Sequence, residues 1–325
     1  VAMNNPRVSI CVPVYNVAPY IECCVRSLME QDYANIEYVF VNDGSTDDSI
    51  RLLEQVVADY PHRQSAVHIY HNDKNHGLAY TRRVTIEKAS GEYITCVDSD
   101  DWIDTNYISA LIQETIISQS DVIFSPCKEH LTSKTIVTFL DEVEDSYFNA
   151  CVKDKVSHLW GKLIRRDLIL EHSCFAPEGL DYLEDRIALL QISHYASTVN
   201  HIDNAFYHYI HQPQSITAHK TDYHFDCLIR YWQEAERLMR EWGTWEQYAS
   251  ICQKQQVEDK IALMLHCNSN ATRRQYANLY REYELKHLNG LSAGFQIMGR
   301  LVHYHLWPLI SVYQIYINWL NKRKK

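Results

Sequence analysis

The sequence predicts an α/β fold, in which a mainly parallel sheet with flanking helices is followed by a helical extension. Strand-like and helix-like segments alternate over the first hundred residues. Polar side chains directly follow three of the strand-like segments, and the pattern becomes purely helical after about residue 221. Alternation of this kind is typical of a parallel sheet covered on both faces, where ligands collect at the carboxyl ends of the strands.

Short apolar runs and apolar residues at helical spacing define the individual elements. The predicted strands occupy residues 7–14, 36–41, 67–70, 93–97 and 121–125. The predicted helices are marked by Ile21, Cys24, Val25 and Leu28; by Ile50, Leu53 and Val57; by residues 78–89, ended by Gly91; by residues 102–111; and by the amphipathic pattern of Leu183, Ile187 and Leu190. Ser45 and Asp48 have the spacing of a capping box before the second helix. Thr244 separates two helices of the extension.

Length, charge and cysteine usage exclude several classes of protein. The 325 residues, 46% of them apolar, suit two modest domains or one large domain with an extension. A net charge of -10 argues against broad nucleic-acid binding. The ten cysteines include no CxxC pair, which excludes zinc sites of that spacing and favours free thiols in a reducing compartment. Since no secretory signal pattern is present, we expect a cytoplasmic protein.

An aspartate cluster, Asp98-Ser99-Asp100-Asp101, follows the fourth predicted strand directly. Three carboxylates so close together repel one another unless they are protonated or neutralised. A divalent cation neutralises them, and carboxylate oxygens suit Mn²⁺ or Mg²⁺. The alternative is an acidic cap, in which Asp101 or Asp104 starts the next helix. The apolar strand that leads into the cluster favours the metal site.

Two further segments could contact a nucleotide. Asp43, just past the second strand, could accept a hydrogen bond from a nucleobase; alternatively its segment is only a turn and a helix cap. The helix that starts near Leu78 could face phosphates, and Arg82 or Arg83 could pair with a diphosphate. The alternative for both arginines is a solvated surface position.

The acid pair Glu184-Asp185 stands at the start of a predicted helix, where acidic residues are common because they interact favourably with the helix dipole. Dinucleotide, phosphate-loop and serine-hydrolase motifs are missing from the sequence. The histidine pairs at 208/211 and 303/305 lack companion ligands, and we interpret them as structural.

Taken together and in order, these segments resemble glycosyltransferase family 2, whose members have the GT-A fold. The resemblance runs from about residue 8 to residue 217. The matching segments are SICVPVYN at 9–16, SL at 27–28 with Gln31 and Tyr33, VNDGSTD at 41–47, NHG at 75–77 through Arg82, ASGEYI at 89–94, DSDD at 98–101, KL at 162–163 with RR at 165–166, ED at 184–185, YHY at 207–209 and SIT at 215–217. One departure concerns the family's A-R-N-x-G, which is Thr-Arg-Arg-Val-Thr at 81–85 here.

The resemblance implies roles for individual residues in an inverting displacement. Asp185 is the expected general base, with Glu184 as a supporting group or runner-up. Asp100 is expected to bind the metal, and Asp98 the ribose or metal-bound waters. The expected nucleotide-sugar contacts are Pro13, Val14, Tyr15, Asn16, Asp43, Arg82, Asp98 and Ser99.

The resemblance also implies the partners. We expect a nucleotide-sugar donor, with UDP favoured, and a saccharide or lipid-linked saccharide acceptor of a growing surface polysaccharide. The expected domains are a donor-binding half at 1–110, an acceptor-binding half at 111–220 and the extension at 221–325. A homo-oligomer is left open. The alternatives are a nucleotidyltransferase, a non-catalytic sugar-nucleotide-binding protein and a membrane-bound assembly subunit.

The last 25 residues differ from the acidic bulk of the chain. Residues 301–320 are rich in Tyr, Trp, Ile and Leu, and four basic residues follow at 322–325. Interspersed His, Pro, Gln and Asn make a poor membrane span. Two alternatives remain: a helix in the interface of the inner face of a membrane, with its basic end toward anionic lipid, or a final helix docked on the protein.

Overall fold

The computed structural model describes residues 5–131, 134–138, 146–211 and 220–323, and the side chains up to residue 316. The chain divides into two compact units. The first unit comprises residues 1–151 and 156–211, and the second comprises residues 152–155 and 212–325. The predicted segment SIT at 215–217 lies outside the described residues.

The strands alternate with helices through the first unit. The strands are β1 (Val8–Val14), β2 (Ile36–Asn42), β3 (Val67–His71), β4 (Tyr93–Cys96), β5 (Trp102–Ile103), β6 (Val122–Phe124), β7 (Cys127–Leu131), β8 (Lys134–Thr138), β9 (Lys162–Arg165), β10 (Val199–His201) and β11 (Tyr207–Ile210). The helices before residue 212 are α1 (Ile21–Met29), α2 (Ser49–Ala58), α3 (Leu78–Lys88), α4 (Tyr107–Ser118), α5 (Tyr147–Val152), α6 (Arg166–Glu171) and α7 (Glu184–Tyr195), with a short 3-10 helix at Gln64–Ala66.

A seven-stranded sheet forms the centre of the first unit, in the order β10-β6-β9-β4-β1-β2-β3. Only β9, among the described strands of this sheet, runs antiparallel to its neighbours. All seven residues of β1 and of β2 are buried, as expected for central strands covered by helices on both faces. In the register, Val14 pairs with Asn42 and Cys11 with Cys96. The loops that follow β1, β2 and β4 therefore meet at one edge.

A second, four-stranded sheet in the order β5-β11-β7-β8 lies at the end of β4. Its shortest strand, β5, pairs antiparallel with β11 through Ile103 and Tyr207. Asp104 fixes this junction, because its Oδ2 accepts from Phe206 N at 3.0 Å and its Oδ1 lies 2.9 Å from His208 Nε2. The interpretation of His208 as a structural histidine agrees with this contact.

Three local predictions are wrong. Residues 102–103 form a strand, and the helix predicted from 102 begins only at Tyr107, so neither Asp101 nor Asp104 caps it. Ser45 and Asp48 form no capping box: Ser45 Oγ accepts from Asn16 N, and Asp48 makes no side-chain cap. Helix α7 is not amphipathic, because every residue from 184 to 193 is buried.

The second unit is helical in its described part. It contains α8 (Asp222–Glu241), α9 (Trp245–His266), α10 (Asn270–Tyr276), α11 (Arg281–Leu288), α12 (Ala293–His303) and α13 (Trp307–Arg323). Thr244 lies between α8 and α9, as predicted. Lys260 Nζ and Glu284 Oε1, both fully buried, pair at 2.7 Å and join α9 to α11. None of the described helices is both long and apolar enough to cross a membrane.

Candidate active site

The loops after β1 and β2 are joined by hydrogen bonds that hold the predicted nucleotide loop in place. Asn16 adopts a left-handed backbone with φ of 49°, and its Oδ1 accepts from Thr46 N at 2.9 Å. Its own N–H donates to Ser45 Oγ at 3.1 Å. Tyr15 beside it is 47% exposed, whereas Pro13 and Val14 are buried in β1. Tyr15 and Asn16 are thus the accessible part of this predicted segment.

Asp43 organises the next loop along the edge. Its carboxylate accepts from Asn72 Nδ2 at 2.7 Å, from His76 N at 2.9 Å and from Gly77 N at 2.9 Å. The residue is only 3% exposed. Because an ionised carboxylate has about four acceptor positions, one remains for a further donor. The predicted contact with a nucleobase stays a prediction.

The start of α3 is occupied by a carboxylate from a distant loop. Asp181 Oδ1 accepts from Ala79 N at 2.9 Å. Gly77, with φ of 93°, makes room for it, since a Cβ there would overlap the Asp181 carboxylate. The interpretation that this helix start faces phosphates is therefore wrong: the protein supplies the anion itself.

The loop at 98–101 is anchored to β11. Tyr207 Oη donates to Asp101 Oδ2 at 2.7 Å and accepts from Asp98 N at 3.1 Å. Ile210 N donates to Asp101 Oδ1 at 2.8 Å. Asp101 is buried, and both of its carboxylate oxygens accept hydrogen bonds from β11. The pair left for other partners is Asp98 and Asp100, which are both partly exposed.

Arg82 lies among three carboxylates. Its Nη1 and Nη2 each donate to Asp98 Oδ1 at 3.2 Å, and Nη2 also donates to Glu184 Oε1 at 3.4 Å. Its Nε lies 3.4 Å from Asp185 Oδ1. Although burial lowers the pKa of Arg82, the three carboxylates raise it well above its ordinary value. Helices α3 and α7 and the loop after β4 are thus joined by one guanidinium.

The pKa values of three acidic groups in this cluster are raised. Burial and the charge of Asp185 raise the pKa of Glu184 well above its ordinary value, although Arg82 opposes the shift. Burial also raises the pKa of Asp98, again against the attraction of Arg82. For Asp100, burial and the charge of Asp98 raise the pKa to about 6. Additional positive charge would therefore stabilise the ionised cluster.

These residues fit a divalent cation that is completed by other ligands. Apart from its own backbone amide, the Asp100 carboxylate has no hydrogen-bond donor among the described residues. No group of three or more His, Cys, Asp or Glu side chains in the described part of the chain is arranged to hold a metal. Mg²⁺ and similar ions are often held by one or two carboxylates, with waters and substrate phosphates completing the shell. Asp100 and Asp98 are suitable for that role.

Comparison with known proteins identifies the family. The model of Glycosyl transferase family 2 matches residues 9–142. EpsH of Bacillus subtilis (strain 168), whose name assigns it as a glycosyltransferase, is 30% identical over 256 residues, which cover 76% of this chain and 73% of EpsH. The chain belongs to glycosyl transferase family 2. Inversion at the anomeric carbon is typical of this family, and its members transfer a sugar from a nucleotide-sugar donor.

Solved structures confirm the predicted GT-A fold of this glycosyltransferase. The Staphylococcus aureus TarS 1–349 complex with UDP-GlcNAc matches with a TM-score of 0.61 at 17% identity, covering 92% of this chain and 90% of that one. The mannosyltransferase PcManGT from Pyrobaculum calidifontis, in complex with GDP-Man and Mn²⁺, matches with a TM-score of 0.56 at 16% identity, covering 97% and 88%. At these identities the likeness concerns the fold.

Within the glycosyltransferase, the structure brings some of the predicted site residues together and separates others. Arg82, Asp98, Glu184 and Asp185 meet directly, whereas Asp43 bonds to the loop at 72–77 instead. Ser99 is buried beside Asp98. Of the two adjacent arginines, Arg83 has the predicted surface position and pairs with Glu87 at 2.9 Å. Arg82 is buried among carboxylates, so the surface alternative is wrong for it, and its contact with a diphosphate stays a prediction.

An aromatic stack supports the loop at 98–101 and was not predicted. Trp160 stacks on Tyr207 with ring centroids 4.8 Å apart, on Tyr209 at 5.4 Å and on His158 at 4.6 Å. Tyr207 is fully buried. Because Tyr207 also bonds to Asp101, the stack fixes the position of the loop. The K-L segment of the family motif, just after Trp160, is the signal that could have indicated this position.

Lys162, the first residue of the K-L segment, makes internal contacts that the sequence did not indicate. It is buried, donates to the His158 and Trp160 carbonyls, and lies 5.0 Å above the Phe124 ring. Burial lowers its pKa to about 8, although nearby acidic groups oppose the shift. Asp181 is another such residue, and no local pattern distinguishes it from an ordinary loop aspartate.

Proposed function

We propose that this glycosyltransferase transfers a sugar from a UDP-sugar to an acceptor hydroxyl by a metal-dependent inverting displacement. The observation that carries the proposal is the convergence of Asp98, Glu184 and Asp185 on Arg82, at the carboxyl edge of the parallel sheet. The UDP-GlcNAc complex of TarS supports UDP as the nucleotide of the donor. Because the complex of PcManGT contains GDP-Man, GDP-sugars should be tested beside UDP-sugars.

Asp185 is proposed as the general base. It stands in the first turn of α7, and in the described residues its Oδ1 has no hydrogen-bond donor although Arg82 Nε is 3.4 Å away. A carboxylate can accept the proton of the acceptor hydroxyl as that oxygen attacks the anomeric carbon. Glu184, which shares Arg82, is the supporting group.

Arg82 is proposed as a positioning residue. It is 4% exposed and engaged by three carboxylates, so its main effect is to hold Asp185 and Asp98 in place beside its positive charge. A direct contact with the donor, as the family resemblance implies, would require one of these pairs to loosen. The proposal therefore places its role in geometry and charge rather than in phosphate binding.

The donor is proposed to lie along the edge formed by Tyr15, Asn16, Asp43, Asp98 and Ser99. Tyr15 offers an exposed ring on which the nucleobase could stack, and the Asp43 carboxylate retains one acceptor position. Mn²⁺ or Mg²⁺, held by Asp100 and Asp98, would neutralise the charge of the departing diphosphate.

The domain division and acceptor remain part of the proposal. Residues 1–110 would bind the donor, residues 111–220 the acceptor, and residues 221–325 would form the extension. We propose a saccharide or lipid-linked saccharide of a surface polysaccharide as acceptor. The ten free cysteines support the cytoplasmic location expected from the sequence.

A panel of nucleotide sugars with Mn²⁺ tests the proposal. A ligand that binds the folded state raises the melting temperature by mass action, so a UDP-sugar is expected to do so and to release UDP slowly in water. Binding without hydrolysis or transfer to any acceptor would favour the non-catalytic alternative. Release of pyrophosphate from a nucleoside triphosphate would favour a nucleotidyltransferase.

A further inference from the structure

Helix α13 is attached to the second unit by one face. Ile310 is fully buried, and Gln314 Nε2 donates to two backbone carbonyls at the C-terminal end of α9, at 2.9 and 3.1 Å. Tyr313 Oη donates to the Gly294 carbonyl at the start of α12, at 3.2 Å. These contacts fix the rotation of the helix, so the docked alternative of the sequence analysis accounts for this face.

The opposite face of α13 is apolar and exposed. Leu309, Val312, Ile315 and Tyr316 are 52%, 62%, 70% and 52% exposed. Their spacing of three, six and seven residues places them on one side of the helix. The turn before the helix adds Tyr304, which is 59% exposed. Contiguous exposed apolar side chains of this size are typical of a surface that binds another body.

The charge pattern indicates what that body is. Residues 301–325 contain no aspartate or glutamate, and Lys322, Arg323, Lys324 and Lys325 follow one another in the sequence, in a chain whose net charge is -10. An apolar helix face with aromatic residues and a basic end is complementary to an anionic lipid surface. A second copy of the chain could cover the apolar face, but its own helix would offer no acidic partner to the basic run.

We propose that α13 binds the surface of an anionic bilayer through the face formed by Leu309, Val312, Ile315 and Tyr316. The helix would lie in the plane of the interface, with these side chains at the acyl boundary and the basic run among the headgroups. Gln314 and Ile310 would remain bound to the second unit. The surface goes beyond the proposed transfer reaction and uses none of its residues.

Flotation with vesicles tests this surface. The intact chain is expected to float with vesicles of phosphatidylglycerol and phosphatidylcholine, and to float less at high salt or with phosphatidylcholine alone. The variant Val312→Glu/Ile315→Glu should lose the transfer of two apolar side chains, which lowers the partition coefficient by more than about tenfold. Replacing Lys322, Arg323, Lys324 and Lys325 by Gln should lower it by about fivefold for each charge near the headgroups.

Ile117→Glu is the matched control, because Ile117 on α4 is 71% exposed, like Ile315, and belongs to the first unit. Its flotation should equal that of the unaltered chain. Circular dichroism and nucleotide-sugar binding without vesicles should be unchanged in all variants, which separates this proposal from the proposed function. The proposal is overturned if the unaltered chain does not float with the anionic vesicles, or if Ile117→Glu loses as much binding. It is also overturned if light scattering shows a dimer that Val312→Glu/Ile315→Glu dissociates without any effect on flotation.

Discussion

Arg82 Nε and Asp185 Oδ1 lie 3.4 Å apart, although they come from different helices, α3 and α7. Both side chains are largely buried, and the same guanidinium also contacts Asp98. Because a buried charge must be paired to be tolerated, this relationship couples the position of the proposed base to the loop that follows β4. Substitutions at Arg82 and in the elements around it test that coupling.

Replacing Arg82 should cost much more stability than replacing its neighbour. Arg82→Met leaves Asp98, Glu184 and Asp185 without their shared cation, and removal of one partner of a buried pair costs about 3–5 kcal/mol. Arg83→Met is the control, since Arg83 is exposed and its pair with Glu87 should be worth about 0.3–0.5 kcal/mol. Urea denaturation measures the free energy of unfolding of both variants. Equal losses would contradict the proposal that Arg82 stabilises the three carboxylates.

Asp100→Asn should weaken metal binding. Loss of a direct carboxylate ligand is expected to lower Mn²⁺ affinity in the presence of UDP by about tenfold or more. Replacing a residue that only hydrogen-bonds to a metal ligand already lowers metal affinity by about that factor. Electron paramagnetic resonance of free Mn²⁺ provides the readout, and Asp48→Asn, which changes an exposed aspartate paired with Arg51, is the control.

In the unaltered enzyme, excess chelator should abolish turnover and Mn²⁺ or Mg²⁺ should restore it. Full activity in chelator would remove the metal from the account.

Glu37 provides a pH-dependent contribution to stability away from the site. Burial raises its pKa, but hydrogen bonds from Ser9 and Ser90 lower it more, so the pKa lies below its ordinary value of 4.5. A lowered carboxylate pKa contributes stability above the ordinary value, which is lost as pH falls through the folded value. Glu37→Gln should therefore cost about 1–3 kcal/mol at neutral pH.

Urea titrations of the unaltered chain and of Glu37→Gln at several pH values provide the measurement. The difference between them should be constant above about pH 5 and should shrink at lower pH. A difference that grows on acidification would contradict the sign of the shift.

The second unit should depend on the buried pair of Lys260 and Glu284. Lys260→Met leaves a fully buried carboxylate with only His303, 2.8 Å away, as an ionic partner among the described residues, and should cost about 3–5 kcal/mol. The double variant Lys260→Met/Glu284→Leu should recover part of that loss, because no unpaired charge remains. Denaturant unfolding of the two variants measures the difference in their free energies of unfolding. A double variant that is less stable than Lys260→Met would contradict the pairing.

Much of the fold follows from local sequence patterns. The strands β1 to β4 begin and end within about a residue of the predicted runs. For β1, β2 and β4 the reason is that a central parallel strand must be apolar on both faces. The polar residues after β1, β2 and β4 meet at one edge because those strands are neighbours in the sheet. The ordered family motifs then predict Asp98, Glu184 and Asp185 as parts of one site, and all three carboxylates contact Arg82.

The rest depends on contacts between distant segments, which local patterns do not contain. Asp101 does not start a helix, because Tyr207 and Ile210 bind its carboxylate. Asp181 binds the start of α3 from a loop a hundred residues away in the chain. In helix α7, Glu184 and Asp185 turn inward to Arg82, and every residue from 184 to 193 is buried. The apolar spacing of Leu183, Ile187 and Leu190 therefore wrongly predicted an exposed face.

The most direct test of the central claim compares donor binding with turnover in Asp185→Asn. Loss of a general base should lower the rate of sugar transfer by about 10²–10⁴-fold. Since the exchange is nearly isosteric, the dissociation constant for the nucleotide sugar, measured by calorimetry, should change little. A variant that keeps its transfer rate, or loses donor affinity as strongly as rate, would contradict the assignment of Asp185 as the base in the cluster around Arg82.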